Sequence, residues 1–304
     1  MTRAIRSTSE AGISPGIESM GVEAMIVWIG TDMEGLAGVD SWDQCYDPDD
    51  DSAVYRHGRE QLTADTNAAI AGCFDAGATE VRVQDGHGRN RNRGFILEKL
   101  DPRARLVGSA SHAPLRSELL DETVHAVAMI GQHSMAGTLH GFIDHTQCPK
   151  TICRFKINGD EYGEMGQFAL YAGHFGIPLV YVSGDEALCA EARRQFPHAV
   201  STPTKKGTGW ATCELYPTDT VRSGIRADIA RSLTGVDRSR AWSTGTPIEI
   251  RVEWAWSELA DICCAVPGVE RIDARTARWY IDSQLDVYSW PSADWQPMHG
   301  KGTN

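Results

Sequence analysis

Short apolar runs rich in β-branched residues alternate along this chain with longer segments whose apolar positions recur at helical spacing. That alternation predicts a largely parallel sheet covered by helices. Strands are expected at MIVWIGTD (25–32), TEVRVQD (79–85), ARLVGS (104–109), VHAVAMIG (124–131), ICRFKIN (152–158) and PLVYVSG (178–184). Between the first two, Leu62, Ala69, Ile70 and Cys73 mark one face of a helix running from Tyr55 to Ala76, and Gly77 supplies its stop. Further helices are predicted over Glu161–Phe175 and Glu186–Gln195, while the acidic, turn-rich SWDQCYDPDDDSA (41–53) reads as a solvated loop. Beyond about residue 205 the pattern weakens to a helix over Thr218–Leu233, a strand at IEIRVEWAW (248–256), a helix from Trp256 and a last strand at ARWYIDS (277–283).

The expected class is therefore α/β, a largely parallel sheet flanked by helices, with a smaller C-terminal α+β part. The expected division is an N-terminal extension over 1–24, a catalytic domain over 25–205 and a smaller domain over 206–304.

Composition narrows the partners. At 304 residues, 41% hydrophobic and 23% charged, the chain is an ordinary soluble globular protein by composition. A formal net charge of −12 argues against nucleic acid or an anionic membrane surface, both of which reward Lys and Arg. No window approaches the roughly 20 apolar residues of a membrane-spanning helix, and residues 1–24 carry no apolar core of a secretory signal. The eight cysteines are scattered and form no disulfide framework, which points to a reducing cytoplasm. Cys148 and Cys153, in CPKTIC, read as buried small hydrophobes rather than a thiolate metal pair.

The chemistry collects where strands end. Asp32 and Glu34 close the first strand in TDMEG, His87 follows the second in QDGHG, and His133 follows the fourth in IGQHS. In open α/β sheets ligands bind beyond the carboxyl ends of the strands, so these side chains are expected to converge there. Glu164, in INGDEYGEMG at the start of the next helix, can reach the same crevice. Carboxylate oxygens with imidazole nitrogens suit zinc, manganese or cobalt in a catalytic site. Five ligands exceed the need of one tetrahedral ion with an open position. Two divalent ions sharing a bridging carboxylate would use them all, the arrangement of a hydrolase.

Taken together, TDMEG, YRHGREQLTADTNAAI (55–70), DGHG, GQHS, DHT with His145, and INGDEYGEMG resemble, in order, the motifs of zinc-dependent D-aminopeptidases of the DppA type. The likeness spans roughly residues 25–206. It implies that Asp32 bridges two zinc ions, with Glu34 and His133 completing one site and His87 and Glu164 the other. It also implies that His145 is the catalytic histidine and that the chain is a homo-oligomer, a decamer of stacked pentamers. Lys205 in TPTKKGTG matches a lysine that recurs in the family, beside the plainer reading of a surface-loop lysine.

Two features depart from the family. Gly30 stands where a serine is usual, two positions before the bridging aspartate, and the tryptophan-rich C-terminal third has no clear counterpart. Tryptophan is core or interface material, or the wall of an altered pocket. The expected function is an aminopeptidase releasing N-terminal D-residues from short peptides. An amidase for a non-peptide small molecule, and a non-catalytic dipeptide-binding protein, are the competing readings.

Overall fold

In the computed structural model, the described residues are 24–47, 52–87, 94–107 and 120–291. The expected extension over 1–24 falls, except for Ala24, outside them, as do Trp295, part of the acidic loop and the end of the strand expected over 104–109.

The chain order begins β1 (Ile26–Thr31), α1 (Ala53–Asp75), β2 (Glu80–Asp85), β3 (Arg105–Leu106), β4 (Ala126–Gln132), β5 (Ile152–Ile157) and β6 (Asp160–Glu161). It continues with α2 (Glu164–Gly173), β7 (Leu179–Asp185), α3 (Glu186–Gln195), β8 (Val200–Gly209), β9 (Thr212–Leu215) and α4 (Thr218–Ser232). It closes with β10 (Ile248–Trp254), α5 (Ser257–Cys264), β11 (Glu270–Arg271) and β12 (Thr276–Ile281).

Two sheets result. The larger has the order β3-β2-β1-β4-β7-β8-β9, parallel throughout except for β9, which pairs antiparallel with β8. The smaller, β11-β12-β10-β5-β6, is antiparallel. The α/β class with a mostly parallel sheet is thus observed. The inner strands β1, β2, β4 and β7 are buried along most of their length, as strands covered on both faces must be. On one face α1 and α4 pack through Leu62, Ala69, Ile70, Val221, Ile225 and Ile229. On the other, α2 and α3 share an apolar cluster with the inner face of the smaller sheet, where Ile248, Ile250, Val252 and Trp254 alternate with half-buried charged residues.

Three expectations are corrected. The helix expected from Glu161 starts only at Glu164, because Asn158 and Gly159, both at positive φ, turn the chain into a β5–β6 hairpin first. β5 belongs to the antiparallel sheet, not the parallel one. The strand β8 has no counterpart among the expected strands, since STPTKKGTG offers almost no apolar residue; it buries Thr202, Thr204 and Lys205 instead.

The tryptophans divide. Trp254 and Trp279 are buried in the core shared with the smaller sheet, and Trp242 and Trp290 pack against it, while Trp210 and Trp256 are exposed.

The glycine at position 30 has a packing cause. A Cβ there would lie 2.7 Å from the six-membered ring of Trp28, which is buried and stacked on Phe168 with centroids 4.8 Å apart. The indole takes the volume that a serine side chain would fill. Gly30→Ser is therefore expected to destabilise the fold by about 1–3 kcal/mol, the usual cost of overpacking a core, read as a lower midpoint of thermal unfolding. An unchanged midpoint would show that Trp28 can move aside.

Candidate metal centre

The expected strand ends do converge. β1 and β4 are neighbours, and past their last residues Asp32 N–H still donates to Ile130 O (2.8 Å) and Gly35 N–H to Gly131 O (2.8 Å). The backbones run so close that a Cβ on residue 35 would fall 1.9 Å from Gln132 O, so TDMEG needs its glycine. This juxtaposition delivers Asp32 and Glu34 beside His133. His87, at the end of the neighbouring β2, places Nε2 3.2 Å from Glu34 Oε1. Glu164, the first residue of α2, comes within 3.4 Å of His133 Nε2 and 3.9 Å of His145 Nε2.

Among the described residues, side chains able to hold a cation form two groups, Asp32 with Glu34 and His87, and His133 with His145 and Glu164. Within each group the donor atoms lie within 4.8 Å of one another. Asp32 Oδ2 reaches toward the second group, 3.5 Å from His133 Nε2. His87 pairs with Glu34, and His133 comes closest to Glu164, a different grouping from the pairing the resemblance implies. His145, expected as a catalytic histidine, stands inside the second group and stacks on His133 with ring centroids 3.8 Å apart.

Two observations test whether these residues fit metal ions. First, His133 Nε2 is buried without a hydrogen-bond partner. Its Nδ1 lies 3.0 Å from Ser134 O, and a carbonyl only accepts, so Nδ1 carries the proton and Nε2 presents a lone pair to the cluster. His145 is oriented alike, with Nδ1–H donating to Ile143 O at 2.8 Å.

Second, the site crowds two buried carboxylates, Asp32 and Glu34, together with the half-buried Glu164. Burial and then the neighbouring Glu34 push the Asp32 carboxyl well above its usual range. Burial also works against Glu34 and His87 being charged, yet their pairing prevails. Glu34 falls well below the ordinary range and His87 rises to about 10. Glu164, held down to about 2, and His133, raised well above the ordinary histidine value, behave the same way against the pull of burial. The carboxylates thus favour positive charge at the imidazole nitrogens, which a cation held on those lone pairs would supply. The residues present fit divalent cations.

Several residues that hold the site escape the sequence reading. Asp85, at the end of β2, accepts from His87 N–H (3.1 Å) and Gly94 N–H (3.0 Å). Asp185, which closes β7 and caps α3 through Leu188 N–H (2.8 Å), also accepts from Phe142 N–H (2.8 Å) and so moors the loop bearing His145. Both are aspartates at strand ends, the same signal that singles out Asp32. That loop is strained: His140, Ile143 and Gln147 have φ of 61°, 52° and 62°, and β-branched Ile143 is costly there. Gln147 N–H donates to Glu164 Oε1 at 2.7 Å, so the strained loop and a site carboxylate hold each other.

The surface-loop reading does not hold for Lys205. It is fully buried in β8, not on a surface loop, and Nζ donates to Glu34 O and Val39 O, both at 2.6 Å, with the Phe142 ring 4.6 Å away. Together with Thr204 Oγ1, which donates to Gly35 O at 2.6 Å, it clamps the backbone that carries two site carboxylates. Lys205→Met leaves two buried carbonyls unpaired and is expected to weaken metal binding roughly 10–100-fold, the usual cost of losing a supporting contact. A chelator competition titration checks this, and unchanged affinity would reduce Lys205 to a packing role.

A family model described as D-aminopeptidase matches residues 25–293. The chain belongs to the D-aminopeptidase family. Its sequence is 27% identical over 270 residues to the D-aminopeptidase of Bacillus subtilis (strain 168), covering 87% of this chain and 94% of that protein. The fold superposes with a TM-score of 0.82 on the zinc-dependent D-aminopeptidase DppA from Bacillus subtilis, described as a self-compartmentalizing protease. At 24% identity the match covers 92% of this chain and all of the other. The family match thus runs well past the 25–206 stretch that carries the motifs, through the smaller sheet.

Proposed function

We propose that this member of the family is a dinuclear metal-dependent aminopeptidase that releases N-terminal D-residues from short peptides. The observation that carries the proposal is the buried cluster of carboxylates around His133, whose orphaned Nε2 aims a lone pair into it. Asp32, Glu34, His87, His133 and Glu164 would hold two zinc ions, with Asp32 between the two groups, and manganese or cobalt suits the same donors. Zinc, when bound, polarises a scissile carbonyl and lowers the pKa of water.

The chain's own residues supply the rest. Glu34 and Asp32 are held on one backbone turn by Lys205 and Thr204, so their spacing is set before substrate arrives. His145 is locked in the tautomer that leaves Nε2 free, and this atom takes the proton of the attacking water or passes one to the departing amine. Burial, the largest influence on it, lowers the His145 pKa and favours the neutral ring.

Assembly as a homo-oligomeric ring, a decamer of stacked pentamers, in the cytoplasm completes the proposal. Its support is the self-compartmentalizing relative and the eight free cysteines. Among the described residues no helix is long and apolar enough to cross a membrane.

The test measures metal content and hydrolysis on the same purified sample, against D-aminoacyl, L-aminoacyl and simple aryl amides. About two metals per chain with preference for D-aminoacyl substrates is the expected result. Turnover of the aryl amides alone would move the function to a non-peptide amidase. Peptide affinity without metal or turnover would sink the hydrolase.

A further inference from the structure

A run of aromatic rings leads from the metal cluster to solvent. His145 stacks on His133, and the Trp42 ring lies edge-on to His145 with centroids 6.4 Å apart. Trp42 also stacks against Trp210 (6.3 Å, 26° between planes) and meets Tyr46 at 6.1 Å. Tyr46 and Trp210 remain 51% and 49% exposed.

Trp42 and Trp210 are held in place. Trp42 opens a short 3-10 turn fixed by Gln44 Oε1, which accepts from Asp40 N–H (2.8 Å) and Ser41 N–H (3.0 Å). Trp210 sits at the tip of the β8–β9 hairpin. Its indole N–H donates to Asp144 O (3.2 Å), and its carbonyl accepts from Ile143 N–H (2.7 Å). The hairpin tip is thereby tied on both sides to the residues preceding His145.

We infer that Trp42, Tyr46 and Trp210 form a shelf that binds an aryl group flanking the scissile amide, so that the enzyme selects aromatic substrates. The inference rests on the hydrolase reading above. Large rings with fixed orientation lose little conformational freedom on binding and favour stacked or edge-on partners at centroid separations of about 4.5–7 Å. The shelf begins one ring contact from His145, so a substrate engaging the metals places its neighbouring group there. That continuity assigns the surface to substrate and not to a second copy of the chain.

The experiment compares kcat/KM for D-alanylglycine, D-phenylalanylglycine and D-alanylphenylalanine, using the zinc-loaded full chain. Wild type is expected to favour at least one aryl dipeptide over D-alanylglycine by roughly tenfold or more, the discrimination one apolar group gives. The favoured dipeptide shows on which side of the bond the shelf lies. In Trp210→Ala that ratio collapses toward one, and in Trp210→Phe most of it returns. An absent preference in wild type, or an unchanged ratio in Trp210→Ala, overturns the shelf. A shift of Trp210→Ala to a smaller species in sedimentation overturns it as well, because the face then belongs to contact between copies. If wild type cleaves none of the three, the aminopeptidase reading fails, and calorimetric binding of the same dipeptides still decides the shelf. Tighter, Trp210-dependent binding of an aryl dipeptide sustains it, and equal binding sinks it.

Discussion

Replacing Asp32 with alanine is expected to cut bound metal from about two ions per chain to one or none, and to lower kcat/KM by roughly 10³-fold or more. Metal polarisation contributes several kcal/mol to the transition state, and each 1.36 kcal/mol is about a factor of ten. Asp32 sits in the group with Glu34 and His87 and also reaches to 3.5 Å from His133 in the other group. The fold should survive. The side chain's hydrogen bond to the fold is a local one, accepted from Met33 N–H at 3.0 Å, and the turn is held separately by Lys205 and Thr204. With metal stripped by a chelator, the variant should in fact melt no lower than wild type, because removing Asp32 relieves a buried carboxylate beside Glu34. Elemental analysis, the dipeptide assay and thermal unfolding with and without chelator check these points together. Two retained metals in Asp32→Ala would refute the bridging role.

The second large effect is expected at His145. His145→Ala should lower kcat by roughly 10²–10⁴-fold, the range for loss of a general acid or base, while metal content stays at the wild-type level. The ring is positioned by the strained loop, through Ile143 O, and by stacking on His133. Because His145 Nε2 also lies 3.9 Å from Glu164, the alternative is that it is a further ligand. Metal content separates the two: loss of an ion together with activity would make His145 a ligand and leave the proton-transfer role to another group.

The chemistry-bearing residues are legible because each sits at a punctuation mark. Asp32, His87 and His133 stand just past apolar runs, and the end of a buried run is among the easiest features of a sequence to read. Lys205 resists the same reading for the opposite reason. β8 carries threonines, lysines and a proline where a buried strand normally carries aliphatic residues, and its burial is supported by hydrogen bonds to Glu34 O, Val39 O and Gly35 O from a turn about 170 positions away. No local pattern encodes such partners.

By itself the sequence determined the α/β class, the helices α1 and α3 nearly to the residue, and which carboxylates and imidazoles stand at strand ends. Those properties follow from local periodicity, capping and side-chain chemistry, each readable within a short window. The tertiary structure alone decided that β5 leaves the parallel sheet, that Gly30 yields its space to Trp28, that Lys205 is a buried clamp and that Trp42 and Trp210 meet beside His145. Each of these depends on contacts between distant segments, whose energies belong to pairs of residues and not to any one of them.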